Sequence, residues 1–592
     1  MGSNDSSLLA LNIRAALVVL LLGAAPLVAA LSSYAGSRSA LLVIYLLLGV
    51  SAFVVNIMGT KDTSDFVFQL IILSVSLCLI LSYVFVSVNL HGYDVFEEYF
   101  QFLRVAQTGR WSPTGSDIFS AVLSITVLPT ILSMFIRIEG LKIFEVVFPM
   151  MYSIVPVILY RIYRKFLTPS YAFLGVFLFM AYPGFFGEIL SVTRQEVAEL
   201  VLLGLVLALV TPEIGRSVSG KVVTILLTLG LIAAHYSIAY IFLGLLLVSF
   251  VASKFSRRSA LSGTSVATLL IALVLTLSWY SYTASGSGLT ALVNTLTQVS
   301  GSLSTNLFSA NSRPSIVNEA VTFSGQSGYL HDANRLFQYA VQIFLLLGFV
   351  ALIRKHGKST IEYKMLPLIA GAMIMLVSAV SLPFLAFSLN LSRFYHVALL
   401  FIAPCFCYGV NAVCSVGSSL ISLSRTMRSK IRVSGGSMSI AAVILICYFL
   451  FASGWVWAVS MDTPTSGILD SQRMVQSHDT NLLQTYYQEF TLSTDIAAAR
   501  WLHLTTPITQ PLCADVDSGL HVLVAYGERP YSGEYAVGAL QYACMHRSYV
   551  YLSEYNTVSG QAIAYDYQFA VVSAVNTTTL NRIYSDGASI YY

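Results

Sequence analysis

The sequence predicts an α-helical polytopic membrane protein, with about thirteen transmembrane helices and a small external α/β domain at its C-terminal end. Three observations predict it. Hydrophobic residues make up 56% of the 592 positions and charged residues only 10%, whereas soluble domains carry about 25% charged residues. Such a chain cannot cover a water-soluble surface of its size. Apolar runs long enough to span a bilayer recur from residue 11 to residue 459, and after Asp462 the composition turns polar.

Taken in order, the runs lie near 11–31, 40–58, 67–89, 118–136, 142–160, 170–185, 196–211, 221–235, 238–253, 262–283, 336–353, 366–386, 395–420 and 437–459. The first is followed almost at once by a second, so it reads as a retained anchor rather than a cleavable signal. Basic clusters mark the cytoplasmic side. Four stand out: Arg161/Arg164/Lys165, Lys254/Arg257/Arg258, Arg354/Lys355/Lys358/Lys364 and Arg425/Arg428/Lys430/Arg432. They alternate correctly between 161 and 437, which puts 186–195, 284–335, 387–394 and the tail after 460 outside.

Upstream, a cytoplasmic N-terminus at Arg14 and three spans place 89–117 outside, so only one of 118–136 and 142–160 can cross. The stretch "DIFSAVLSITVLPTILSMFIRI" contains Pro129, Ser120, Ser124 and Ser133, with Asp117 and Arg137 near its ends. An interfacial or re-entrant helix fits that pattern. The expected organisation is a transmembrane domain over 1–462 and an external α/β domain over 463–592. An external loop with interfacial helices occupies 91–142. A second external loop, 284–335, is rich in Ser, Gly, Asn and Thr and expected to be mobile. The expected location is the plasma membrane, multi-pass, with a cytoplasmic N-terminus and an external C-terminal domain.

In the tail, "STDIAAARWLHLTT" reads as a helix with a Ser/Thr/Asp start. "PLCADV", "HVLVAYG", "SYVYLSEY" and "YQFAVVSAV" read as short strands. Cys78, Cys405, Cys407, Cys414 and Cys447 lie in apolar runs and read as small core residues. Cys405 and Cys407 have no histidine pair nearby, which argues against a metal site. Cys513 and Cys544 suit a disulfide if the tail faces an oxidising compartment. A formal charge of +4 is too small to imply a nucleic-acid partner.

The functional signal is a convergence of ionisable residues at the outer ends of distant spans, where they are costly and by default functional. They are Tyr93, Asp94, Glu97 and Glu98 in "NLHGYDVFEEYF", then Glu188, Arg194, Glu196 and Glu199 in "GEILSVTRQEVAE". His235, then His331, Asp332 and Arg335 in "HDANRLFQY", and Arg393 and His396 in "NLSRFYH" complete the set. Each has a blander reading. Glu97 and Glu98 suit a solvated loop, His235 a satisfied helix end, Glu196 a helix start, and Arg393 an interfacial anchor snorkelling to phospholipid. The functional reading is glycosyl transfer from a lipid carrier. A polyprenyl or dolichyl phosphate donor needs an apolar groove for its tail, cations for its phosphate and a carboxylate to deprotonate the incoming hydroxyl. Asp94 is the expected base, beside a membrane-facing cavity and free of any buried lysine or arginine bridge. Arg393, with no acidic residue close in sequence, is expected to hold the phosphate, Arg335 next and His396 after it.

The chain also resembles the GT-C superfamily of polytopic glycosyltransferases, most closely an archaeal branch of DUF2206-like membrane proteins. The resemblance rests on "GYDVFEEYFQFLRVAQTGRW", "LSITVLPTILS", "FEVVFPMMYSIVPVILYRIYRK", "TRQEVAEL", "HYSIAYIF", "LSRFYHVALLFIAP" and the ending "NRIYSDGASIYY". It implies an acidic catalytic residue in the first external loop, which is Asp94 here. A second acidic site in a later external loop would fall at Glu188 or Glu196. The chain departs from the simplest plan in two extra spans before the acidic loop. It has no Trp-Trp-Asp motif, as an oligosaccharyltransferase would, and no paired Asp-Glu of the protein O-mannosyltransferase kind. The implied partners are a lipid-linked sugar donor, membrane lipids and a glycan, lipid or protein acceptor. No cofactor is required by the pattern, though the carboxylates around Asp94 leave room for a divalent metal. Two other classes compete. A transporter or flippase of lipid-linked sugars would place ionisable groups mid-span and often carry an internal repeat; none is evident. A non-catalytic scaffold of GT-C shape would keep the fold without turnover.

Overall fold

The computed structural model describes residues 24–36, 38–58, 64–115, 117–255, 265–314, 317–318, 328–354, 365–388, 390–424, 433–464, 471–476, 480–529, 548–566, 569–574 and 580–591. Arg14, three of the four basic clusters in large part, Cys544 and Asn576 lie outside these residues.

The chain is mostly helical with a small C-terminal sheet. Among the described residues five helices are long and apolar enough to cross a membrane: Asp65–Val84, Gly140–Arg164, Tyr236–Phe255, Val266–Ser302 and Tyr329–Arg354. Two bent pairs raise that to seven if each is one span. The expected count of about thirteen is therefore not reached by length and composition. Several apolar runs form helices of 10–17 residues instead, and at 1.5 Å per residue these cover roughly 15–26 Å. Val127–Ile136 is one of them, ten residues long, with Phe135 84% exposed.

Proline sets both bends. Pro183 follows Tyr182 between Pro169–Ala181 and Pro183–Ser191, bent by 65°. Pro404 precedes Cys405 between Leu391–Ile402 and Cys405–Gly417, bent by 67°. A proline lacks the amide that would continue the ladder. At the first bend the preceding Tyr182 is also extended, as a residue before proline prefers, whereas Ala403 before Pro404 keeps helical angles. The first bend turns Glu188 toward the end of the bundle where Asp94 lies. Helices Tyr329–Arg354 and Cys405–Ser424 approach closely at two glycines. A Cβ on Gly348 would stand 1.7 Å from the Cys405 carbonyl oxygen, and one on Gly409 2.0 Å from that of Phe344. Small residues permit such backbone contact in membrane bundles.

The 284–335 stretch is not simply a loop, since Ser287–Ser302 is a 16-residue helix. Only Gly288 and Val299 of it are buried, so packing does not explain it. Ser and Thr are only mildly unfavourable in helices, and their abundance does not by itself mark a loop. In the tail, helix Ser493–Thr505 and strands β1 (Leu512–Cys513), β2 (Tyr549–Leu552) and β4 (Phe569–Ala574) match the expected pattern, whereas β3 (Gln561–Asp566) is a strand the pattern did not mark. "HVLVAYG" does not: Val522–Ala525 is one helical turn. A short apolar run cannot be assigned to strand or helix by pattern alone. Strands β5 (Arg582–Ser585) and β6 (Ser589–Tyr591) complete a four-stranded sheet ordered β1-β2-β6-β5, while β3 and β4 pair separately. Cys513 is disulfide-bonded. One core runs from the bundle into the tail, through Phe96, Ile496, Leu502 and Tyr551.

Candidate functional site

The two ends of the bundle are built differently. At one end Arg164 pairs with Asp65 at 2.7 Å. At the other, Ser82 and Tyr83, near the opposite end of helix Asp65–Val84, line a cavity of about 750 Å³. Its walls include Tyr45, Tyr182, Glu188, Gln342, Tyr395 and Tyr448, of which Tyr45 and Gln342 lie well inside their helices. His91, Tyr93, Glu489 and Phe490 close it from the side of the tail.

The segment before helix Val95–Thr108 is pinned by the tail. Gly92 donates its amide to the Glu489 carbonyl at 3.2 Å, and the Leu90 amide donates to the Tyr526 hydroxyl at 3.2 Å. His521 sits against the rings of Tyr93 and Phe96. Gly92 has φ +97, and a Cβ there would fall 2.2 Å from that of Ser191. Only glycine accepts that conformation and that approach without strain, and the approach brings Asp94 to the 188–196 segment.

Asp94 stands at the N-terminal boundary of its helix, with Glu97 and Glu98 in the first turn. Aspartate there would ordinarily cap backbone amides, yet this side chain makes no capping bond. Its Oδ2 accepts from Arg194 at 2.6 Å and from Arg393 at 2.9 Å. Arg194 also donates to Glu98, and Arg393 to Glu188 at 3.2 Å. Each arginine lies in the first turn of its own helix, Thr193–Val210 and Leu391–Ile402. The helix dipole disfavours a cation at that end, so the carboxylates offset a real cost. Arg194 additionally lies 4.8 Å from the centre of the Phe119 ring.

These bridges correct two expectations. Asp94 is not free, and Arg393 does have acidic neighbours, brought from residues 94 and 188 by the fold. Burial would raise the Asp94 carboxyl, but the Arg194 and Arg393 guanidinium groups outweigh it and hold it well below the usual carboxylate range. Its Oδ1 carries no protein partner among the described residues, and the side chain is 26% exposed. Asp94 and Arg393 do not themselves line the cavity. They adjoin it through Tyr93, Glu188 and Ser392, which do.

The other candidates separate into near and far. Glu98 is fully buried, so the solvated-loop reading fails for it; burial pushes its carboxyl up to about 7, with Arg194 pulling the other way. Glu97 is partly buried, accepts from Gln101 at 2.7 Å, and is likewise raised to about 7 by burial. Glu196 is buried with neither oxygen hydrogen-bonded among the described residues, and it does not reach the cavity. His235 is fully buried, and its Nδ1 accepts from the Ser237 amide at 3.1 Å, as a helix-end residue would. His396 is fully buried within hydrogen-bonding distance of Tyr152, at 2.9 Å, and of Glu199, at 3.1 Å. It is not placed to meet a headgroup. His331 stacks on Trp457 near Asp462, and Arg335 donates to Asp332 at 2.5 Å. Neither lines the cavity, although Gln338, Tyr339 and Gln342 of the same helix do.

Sequence reasoning missed Glu489 and the tyrosine wall. The only signal was an aromatic-rich "YYQEF" and 34 tyrosines in so apolar a chain. For a divalent metal the residues present do not fit. Arg393 bridges Asp94 and Glu188, and among the described residues no three His, Cys, Asp or Glu side chains are grouped as ligands.

Residues 220–592, more than half of the chain, match the family described as "Predicted membrane protein (DUF2206)". The chain belongs to that family. It is thus a multi-pass membrane protein, as its composition requires. No curated protein matches it in sequence. Among solved structures, the Archaeoglobus fulgidus oligosaccharyltransferase in the apo form is similar at 13% identity and a TM-score of 0.42, over 88% of this chain and 70% of that one.

Proposed function

We propose that this DUF2206 protein is a membrane glycosyltransferase that takes a sugar from a polyprenyl- or dolichyl-phosphate donor at the external face. The observation that carries the reading is Arg393, 13% exposed at the edge of the cavity and held by two carboxylates. A phosphate there competes for a forked, permanently charged donor that is already oriented. The motif resemblance to GT-C enzymes supports the same chemistry. Clustering of charge at one end of the bundle, rather than mid-span, favours it over a transporter.

In the proposed step the acceptor hydroxyl attacks the anomeric carbon, and the bond from that carbon to the phosphate oxygen breaks. The hydroxyl proton passes to Oδ1 of Asp94, the phosphate leaves with the electron pair, and Arg393 balances its charge. A single displacement inverts the anomeric centre. With both arginines in place Asp94 is a poor base, because basicity falls as the carboxylate is stabilised. Donor phosphate engaging Arg393 removes one of these stabilising charges, so donor binding raises the basicity of Asp94. Arg194 remains and fixes its orientation.

The cavity faces outside in this reading, with a cytoplasmic N-terminus. Residues 463–592 form the external part that bears on the acceptor, and Val127–Ile136 lies in the interface. Asn390-Leu-Ser and Asn576-Thr-Thr are then external sequons. Turnover of the purified protein with a panel of lipid-phosphate sugars tests the proposal. Absence of transfer and of hydrolysis across the panel sinks it, and labelling that finds the tail cytoplasmic removes the site from the donor's leaflet.

A further inference from the structure

The chemistry of the cavity wall narrows the substrate. Tyr93, Tyr182, Tyr395 and Tyr448 line it together with Glu188 and Glu489. No lysine or arginine belongs to its described lining. His91, the histidine there, is held neutral, since burial lowers its imidazole to about 4. Glu188 turns Oε1 to Arg393 and Asn390, and Glu489 accepts from the Tyr93 hydroxyl through Oε1 at 3.1 Å. The second oxygen of each has no protein partner among the described residues. At about 750 Å³ the cavity falls in the ~300–1,000 Å³ range of small-molecule sites.

Such a wall accepts some sugars and repels others. Hydroxyl groups donate to carboxylate oxygens, and the apolar faces of a pyranose pack on tyrosine rings. An ammonium group meets two carboxylates and several aromatic faces. An acidic sugar would bring a third carboxylate into the same space with no cation to pair it, which is a costly burial. Arg393 does not relieve this, because in the proposed reaction its charge is taken by the phosphate.

We infer that the cavity holds the saccharide of the lipid-linked donor, selects a neutral or amino sugar and excludes uronic and other acidic sugars. The inference rests on the transferase reading for the donor's identity, but binding tests it without turnover. Full-length protein in nanodiscs is titrated with synthetic polyprenyl phosphates bearing glucose, glucosamine or glucuronic acid. The first two are expected to bind at least about tenfold more tightly than the third, because the repulsive element sets the difference. Glu489→Gln is expected to bring the glucuronic conjugate to within about threefold of glucose. Glu188→Gln provides the same comparison should the first variant fail to fold. Equal or tighter binding of the glucuronic conjugate overturns the inference, as does an unchanged gap in a folded variant or failure of all three to bind. Selective binding without transfer in the same preparation would refute the transferase and leave the selectivity standing.

Discussion

Arg194 and Arg393 donate to the same oxygen of Asp94, yet they occupy different physical situations. Arg194 is 4% exposed, shares a fully buried glutamate and lies beside an aromatic ring. Arg393 is 13% exposed, and its second partner, Glu188, is 24% exposed and faces a cavity. Partner count is the same for both. What differs is whether an outside anion can replace a partner. Exchanging Glu98 at Arg194 would strand a fully buried carboxylate, whereas both carboxylates that Arg393 holds are partly exposed and can meet water or substrate when displaced. The comparison assigns orientation to one arginine and ligand binding to the other.

The largest expected effect breaks the buried half. Arg194→Ala removes the cation between Asp94 and Glu98, and loss of one partner of a buried pair costs about 3–5 kcal/mol. Thermal unfolding in detergent should show it as a drop in midpoint with loss of the folded yield. A variant with wild-type stability would mean that the pair is not what holds helix Val95–Thr108 on the bundle.

Asp94→Asn keeps size and a hydrogen-bond acceptor while removing the charge, so turnover should fall by about two orders of magnitude with most of the folded protein retained. Ordinary turnover in a single-turnover assay would take Asp94 out of the mechanism.

Arg393→Ala is expected to weaken donor affinity by about tenfold, the scale of one charge-assisted contact at about 1.5–3 kcal/mol, with a smaller stability loss than Arg194→Ala. Arg335→Ala is its control: the Asp332 pair is exposed, and such pairs contribute about 0–1 kcal/mol. If both variants lost donor affinity equally, the separation of near and far candidates would collapse.

The smallest effect is a pH dependence. Burial raises Glu97 to about 7 from the ordinary 4.5, so the folded chain binds more protons than the unfolded one between those values. Stability contributed by neutral Glu97 is full below about 4.5 and declines as pH rises through about 7. Glu97→Gln should flatten that part of the stability curve. An unchanged slope would place its titration elsewhere.

Much of this was legible in the chain. The membrane class followed from 10% charged residues, and Asp94, Glu188, Arg194 and Arg393 were each singled out because charge at a span end is costly. That they form one bridged cluster was not legible. Residues 94, 194 and 393 are separated by about a hundred positions or more, and no local pattern encodes which helix ends meet. His331 and Arg335 looked equivalent to Arg393 for the same reason, and they pair elsewhere. "HVLVAYG" and the 284–335 stretch failed differently, because short apolar or Ser/Thr-rich segments take whichever geometry the packing supports.

The sequence by itself determined a multi-pass helical chain and the supply of carboxylates and guanidinium groups at the span ends, since composition and backbone chemistry act locally. Only the tertiary structure decided that Arg393 bridges Asp94 and Glu188 beside a tyrosine-walled cavity closed by Glu489. Burial and ion pairing are properties of neighbours in space, and Gly92, by admitting Ser191 at close range, makes those neighbours meet.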